Sequence, residues 1–326
     1  MIESRRNMLA ACGLAALLLF SALGMRGAVA QTLTPVTIAA VPAEELTPVM
    51  YAIKSGIFRR LGLDVQITWL TNGAAAAAAV VGGSVQFGHG AAYTIILTSS
   101  RGIPLKIIAP TSVYTPGYPF AVLVRKDSPI QTAADMSGKT LAVPSLNALD
   151  SLFIRAWLDQ NGGDSKNLRF TEMPSSSFLP ALDQGRVDAI SFAGPLLANA
   201  LDSNSVRALV RPLAAVVGKN TRFVLSTVYT TAAYAEANPR IVQAFSRGVL
   251  EGNAYANRHQ ADMAPITAEI LKVDVATVAR SQRVVFREAI DPKDLQPFVD
   301  LLNRYNVIDK PGDVMDIFAP SILNTR

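Results

Sequence analysis

Hydrophobic and polar positions along the chain follow two periods, and the switches between them mark the elements. Residues 35–40 (PVTIAA) make a short β-like run, and Thr47-Pro48 then reads as a helix start, with threonine as the cap and proline at the first helical position. That helix should stop near Ser55-Gly56. Residues 63–70 (LDVQITWL) alternate with the period of a strand, and Thr71-Asn72-Gly73 opens an alanine-rich helix ending at Gly82-Gly83. Lys139 to Val143 is a further strand. The helix after it carries Leu149, Leu152, Phe153, Ala156 and Trp157 at helical spacing, which gives it one apolar face up to Asn161-Gly162-Gly163. LRFTEM (168–173) and RVDAISF (186–192) are strands around a helix from Ser177 to Gln184. Strand and helix in turn predict α/β architecture, parallel sheets covered by helices.

Two phrases repeat about a hundred residues apart: GGSVQFGHGAA at 82–92 and DQGRVDAISFAG at 183–194. Each reads as a helix end, a glycine turn and a short buried strand running into small residues, so the two copies take equivalent places in two lobes. Gly83 and Gly185 supply the left-handed backbone that a helix end needs, while Val85, Phe87, Val187 and Ala189 should enter the cores. YPFAVLVR (118–125) and RFVLSTVYT (222–230) look like two crossings between the lobes. The expected division is therefore residues 31–119 plus 226–326 as lobe 1 and 120–225 as lobe 2. Helical patterns beyond Asn238-Pro239 should pack on lobe 1, away from the cleft.

Composition narrows the setting. Half of the 326 residues are hydrophobic and 17% are charged, enough to bury a large core. Residues 1–30 read as a cleaved export signal, with Arg5-Arg6, an apolar run from Met8 to Leu23, and Ala28-Val29-Ala30 before the cut. The twin-arginine form suits export of a folded chain, and the same charges suit the general secretory route. Removing the signal takes the formal charge from +5 to +3, which points to no nucleic-acid partner. The lone cysteine, Cys12, leaves with the signal, so the mature chain has no thiol chemistry. No later run reaches the roughly 18 apolar residues of a membrane span. The expectation is a periplasmic monomer with no stable membrane insertion, no metal and no cofactor.

Ligands of open α/β sheets bind beyond the carboxyl ends of the strands, where helix N-termini offer unpaired N–H groups and the positive end of the dipole. That rule selects Pro42 and Glu44; Thr71 and Asn72; Gly88, His89, Gly90 and Ala91; Ser145, Asn147 and Ala148; and Phe192, Ala193 and Gly194. Ser112 and Tyr114, beside the first crossing, complete the set. Ser145 and Asn147 either cap the following helix alone or also touch the solute, and the same choice applies to Thr71 and Asn72. His89 is either a ligand contact or a satisfied structural histidine, and Tyr114 belongs to the rim or the core. His259 reads as a solvated helix residue. Glu44-Glu45 opposes an anionic ligand if it faces the cleft, and stabilises the next helix if it faces solvent.

AIKSGIFRRLGLDVQITWL, VGGSVQFGHGAAYTIILTSSRGIPLKIIAP, MSGKTLAVPS, LDQGRVDAI and YAEANPRIVQAFSRG together resemble the nitrate/sulfonate/taurine and thiamine-precursor (SsuA/NMT1/TauA-like) periplasmic solute-binding proteins. The resemblance implies the type II periplasmic-binding fold, two mixed, mainly parallel α/β lobes joined by two hinge crossings. It also implies closure on a small ligand and delivery to an ABC permease with its ATPase. Gln86 stands where the family commonly has aspartate, and Gly194-Pro195 where it often has Glu-Pro, so the ligand does not carry over. A sulfonate, carboxylate or similar small acid is the leading expectation, and a neutral heterocycle such as a thiamine-pyrimidine precursor the alternative. A menaquinone-pathway-like enzyme would share the fold. The chain lacks the nucleophile elbow, zinc-helix, P-loop and dinucleotide motifs, which favours binding over catalysis.

Overall fold

A computed structural model describes residues 32–323, except residues 116, 145, 147–148, 218–221, 290, 305–306 and 309–313. The export-signal reading, and Ser145, Asn147 and Ala148, lie outside the described residues. Along the chain run β1 (Thr34–Ala40), β2 (Leu63–Trp69), β3 (Phe87–Ala91), β4 (Leu105–Pro110), β5 (Ser112–Tyr114) and β6 (Phe120–Arg125). They are followed by β7 (Thr140–Val143), β8 (Arg169–Glu172), β9 (Ala189–Ala193), β10 (Val206–Val210), β11 (Phe223–Val224), β12 (Ser226–Thr231) and β13 (Val285–Phe286).

Ten of these strands form two five-stranded sheets with one shared plan. The first has the order β2-β1-β3-β12-β4 and the second β8-β7-β9-β6-β10. In each, three neighbouring strands are parallel and the fourth is antiparallel to both strands beside it. Four strands of five thus point one way. The antiparallel strand is the outgoing crossing, β6, in the second sheet and the returning crossing, β12, in the first. Each crossing is bonded on both sides within its sheet, which ties the two halves to the same pair of chain passages. The fold is the α/β periplasmic-binding architecture expected from the resemblance.

Buried apolar runs explain the sheets. Phe120, Val122 and Val124 of β6 pack into the main core and Ala121 and Leu123 into a second cluster with Phe178, Ile190 and Leu197, so the strand is covered on both faces. Gly83 and Gly185 take φ of 72° and 68°, and Val85, Phe87, Val187 and Ala189 are all buried. The phrase that repeats in the sequence is therefore packing. Tyr114 belongs to the core rather than the rim: it is 1% exposed and stacks on Phe223 of the returning crossing, which in turn faces Phe153 and Phe298.

Two local expectations change. The helix Thr47–Lys54 is preceded by a 3₁₀ turn, Glu44–Leu46, so Thr47 is inside the helical run and not its cap. Its hydroxyl is 2.9 Å from that of Thr267 instead. The C-terminal helices cover the first sheet but also reach the second half, because Arg280, ending the helix Val275–Arg280, pairs with Asp202 of the helix Gly194–Asp202.

Gly88 shows why the β3–β12 contact needs glycine. A Cβ there would stand 2.4 Å from the ring of Tyr229, which is 1% exposed and has no room to withdraw. Gly88→Ala should cost ~1–3 kcal/mol as overpacking, read from urea unfolding. Gly90→Ala, whose Cβ would meet the same ring at 3.6 Å, should change stability little; equal effects would show that the ring is not the cause.

Candidate functional site

One cavity of about 590 Å³ lies where the carboxyl ends of both sheets meet. Val41, Ala43 and Glu45 enter it beyond β1, Asn72 and Gly73 beyond β2, and His89, Gly90 and Ala91 at the end of β3. From the second sheet come Pro144 beyond β7, Ala193 at the end of β9, and Asp150 in the first turn of the helix Leu149–Gln160. The crossings add Tyr118, Phe120, Leu225 and Ser226. Ala74, Ala77, Ala78 and Val81 of one helix and Leu97 of another make most of the remaining wall apolar.

The short 3₁₀ turn at Glu44–Leu46 decides which glutamate reaches the cavity. Successive residues there are a third of a turn apart, so Glu44 and Glu45 point in different directions. Glu44 is 5% exposed and pairs with Arg283, whose Nη2 donates to Thr267 Oγ1 at 2.7 Å. Burial pushes the Glu44 carboxyl up and the Arg283 guanidinium pulls it back. Its Oε2 has no hydrogen-bond partner and sits 2.5 Å from where a Cβ on Gly194 would be. Gly194, at φ 52°, thus leaves space for a carboxylate arriving from the other half of the molecule. Glu45 instead lines the cavity, with Oε1 accepting from Tyr118 OH at 3.0 Å. Neither glutamate is a simple solvated residue before a helix.

Asp150 faces Glu45 from the second sheet. Burial and then the Glu45 charge raise its pKa from 3.8 to about 7, opposed by the nearby Ser191 hydroxyl, which has no partner at normal hydrogen-bond geometry. Burial raises Glu45 as well, while its own backbone and Tyr118 hold it down. His89 is 4% exposed and burial lowers it to about 4, so it is neutral near pH 7. Its Nε2 lies 3.2 Å from Thr111 Oγ1 and starts a chain through Ser226 Oγ and Ser112 Oγ with 2.7 Å steps. Ser112 therefore supports His89 from behind the wall.

Asn72 has two tasks. Its Oδ1 caps the helix Gly73–Val81 through Ala75 N at 2.8 Å, and its Nδ2 donates to Glu172 Oε1 at 3.1 Å across the cleft. Glu172, at the end of β8, also accepts from Leu146 N at 3.1 Å.

Of the residues chosen from the sequence, Asn72, His89, Gly90, Ala91 and Ala193 come together in the cavity wall. Pro42 and Thr71 are exposed beside it, Gly88 packs on Tyr229, and Phe192 packs on Phe178 at 5.3 Å between centroids. Glu44, Ser112, Tyr114 and Gly194 stand behind the wall in the contacts given above. Sequence reasoning weighed Glu45 with Glu44 and passed over Tyr118 and Asp150. Glu45 was visible only as half of an acidic pair, and Asp150 resembled an ordinary first-turn aspartate. Gln86 is structural, its Oε1 accepting from Thr37 N at 2.8 Å. His259 stacks on Tyr255 at 4.2 Å and is half exposed.

The NMT1/THI5-like family matches residues 43–263, and the chain belongs to that family. A Brucella abortus relative named as a binding protein is 26% identical over 232 residues, 70% of this chain and 68% of its own. The periplasmic aliphatic sulphonate binding protein SsuA from Escherichia coli superposes with a TM-score of 0.68 at 18% identity, covering 89% of this chain and 98% of its own. The desulfurization enzyme DSZB shares the fold too, with a TM-score of 0.63 at 18% identity over 89% of this chain and 98% of its own. Among the described residues no group of three or more His, Cys, Asp or Glu is placed to hold a metal ion, and no helix is long and apolar enough to cross a membrane.

Asp150 gives the site a pH signature. Its folded pKa is above its ordinary value, so its contribution to stability is complete below pH 3.8 and is lost as pH rises through about 7. His89 works in the opposite sense, contributing above 6.5 and losing that contribution as pH falls towards about 4. Asp150→Asn removes the first effect alone. Its stability relative to the parent, measured by urea unfolding across this range, should improve steadily with pH; a difference independent of pH would show that the carboxyl titrates normally.

Proposed function

We propose that this chain is the exported solute-binding component of an ABC importer, which holds a small molecule between two lobes and presents it to a permease. The observation that carries this reading is the cavity itself, built at strand ends of both sheets and enclosed on the apolar side by helices. In this reading the lobes are residues 31–119 plus 226–326 and residues 120–225, hinged at β6 and β12. A ligand favours closure only through contacts that exist in the closed state, and a solute touching both Glu45 and Asp150 makes such contacts. Asn72 and Glu172 close the mouth beside it.

Membership of the NMT1/THI5-like family and the shared fold support binding and transport. The DSZB likeness keeps catalysis as the second reading, but among the described residues the cavity shows no nucleophile held by a general base: His89 bonds Thr111, which leads to Ser226 in a chain of neutral groups.

A thermal-shift screen of small solutes, followed by small-angle scattering, tests the proposal. A true ligand raises the melting temperature according to its affinity and concentration and reduces the radius of gyration. Ala193→Trp fills the cavity from the second sheet and should abolish both effects. A stabilising solute that binds this variant unchanged occupies another site and would defeat the reading.

A further inference from the structure

Granting that this cavity is the solute site, its chemistry narrows the guest. Its two carboxylates are acceptors, and so is His89 Nδ1 in the tautomer whose Nε2–H donates to Thr111. Glu45 keeps one carboxylate oxygen beyond its bond to Tyr118, and Asp150 presents its carboxylate from the opposite sheet. The His89 ring is over nine-tenths buried in the wall, and among the described residues its Nδ1 makes no hydrogen bond while Nε2 is bonded to Thr111. Ser191, buried beside Asp150, steadies its carboxylate. One N–H of the Asn72 amide is directed at Glu172. The lining contains one basic side chain, Arg101, and it is exposed at the mouth.

We propose that the guest is an organic cation, a protonated amine or amidinium on an apolar body, whose N–H donors lie between Glu45 and Asp150 and within reach of His89. Two carboxylates brought together in an apolar wall repel each other, and bringing the sheets closer makes that repulsion worse unless a positive charge stands between them. A cation reverses the sign: it is attracted from both sides at once and so stabilises the closed arrangement over the open one. The alanine and leucine wall receives the remainder of the molecule. A sulfonate or carboxylate would meet both acids, and at the N-terminus of the helix Gly73–Val81 the Asn72 side chain already takes the Ala75 N–H.

The test compares matched probes on the purified chain by calorimetry and thermal shift. Benzamidine and phenethylamine are the cations, benzamide and phenethyl alcohol their neutral counterparts, and phenylethanesulfonate and phenylpropionate the anions. The cations should bind at least tenfold more tightly than the neutral and anionic partners. Glu45→Gln and Asp150→Asn should each erase most of that preference while melting near the parent temperature. Should either variant fail to fold, the ranking of probes on the parent chain still decides. Anions or neutral probes binding as well as the cations, in competition with Ala193→Trp sensitivity, would overturn the cation proposal and leave solute binding intact. Failure of every probe and of the wider solute screen would overturn both.

Discussion

Two carboxylates share one apolar cavity, and among the described residues neither is paired with a basic side chain. This constraint organises the site, since an unpaired charge in a low-dielectric wall is costly and two of like sign are costlier. The molecule answers in part with protons, which is why Asp150 is held up to about 7, and in part with the Tyr118 hydroxyl on Glu45. The remaining imbalance is a property a ligand can satisfy. A binding protein gains selectivity when its empty site is left short of something that only the right guest supplies.

The adjacent glutamate takes the opposite solution. Glu44 is one residue away and more deeply buried, and it is neutralised within the protein by Arg283, itself bonded to Thr267, which also touches Thr47. This arrangement pins the turn before the helix Thr47–Lys54 to the C-terminal segment and thereby fixes the direction of Glu45. A buried ion pair is weak evidence for stability, but here it joins residues 239 apart in sequence to set the orientation of the next side chain. Gly194 completes the arrangement from the second sheet by leaving room for the Glu44 carboxylate.

The two crossings have unequal surroundings. β6 is sealed on both faces by apolar side chains, whereas β12 begins at the cavity, where Ser226 joins Ser112, Thr111 and His89 in one hydrogen-bonded chain. The polar chain lies where the returning strand enters the first sheet, so His89 is braced by the same residues that lead into that crossing. Phe223, just before it, packs against Tyr114, Phe153 and Phe298, which come from both halves and from the C-terminal helices.

The strands, the glycine turns at 83 and 185, and the amphipathic helix at 149–160 were legible because each rests on local periodicity and local backbone needs. Strand ends are local features too, and Asn72, His89, Gly90, Ala91 and Ala193, chosen on that rule, line the cavity. What the linear order could not contain was direction. Glu44 and Glu45 are neighbours with indistinguishable propensities; the 3₁₀ turn sends them in different directions, and Arg283, far along the chain, meets the one that enters the core. Asp150 looked like a helix-start aspartate until the second sheet set it opposite Glu45. Secondary structure followed from short-range sterics and hydrophobic spacing, whereas the charge balance of the cavity was decided by which distant residues the tertiary fold brings within a few ångströms.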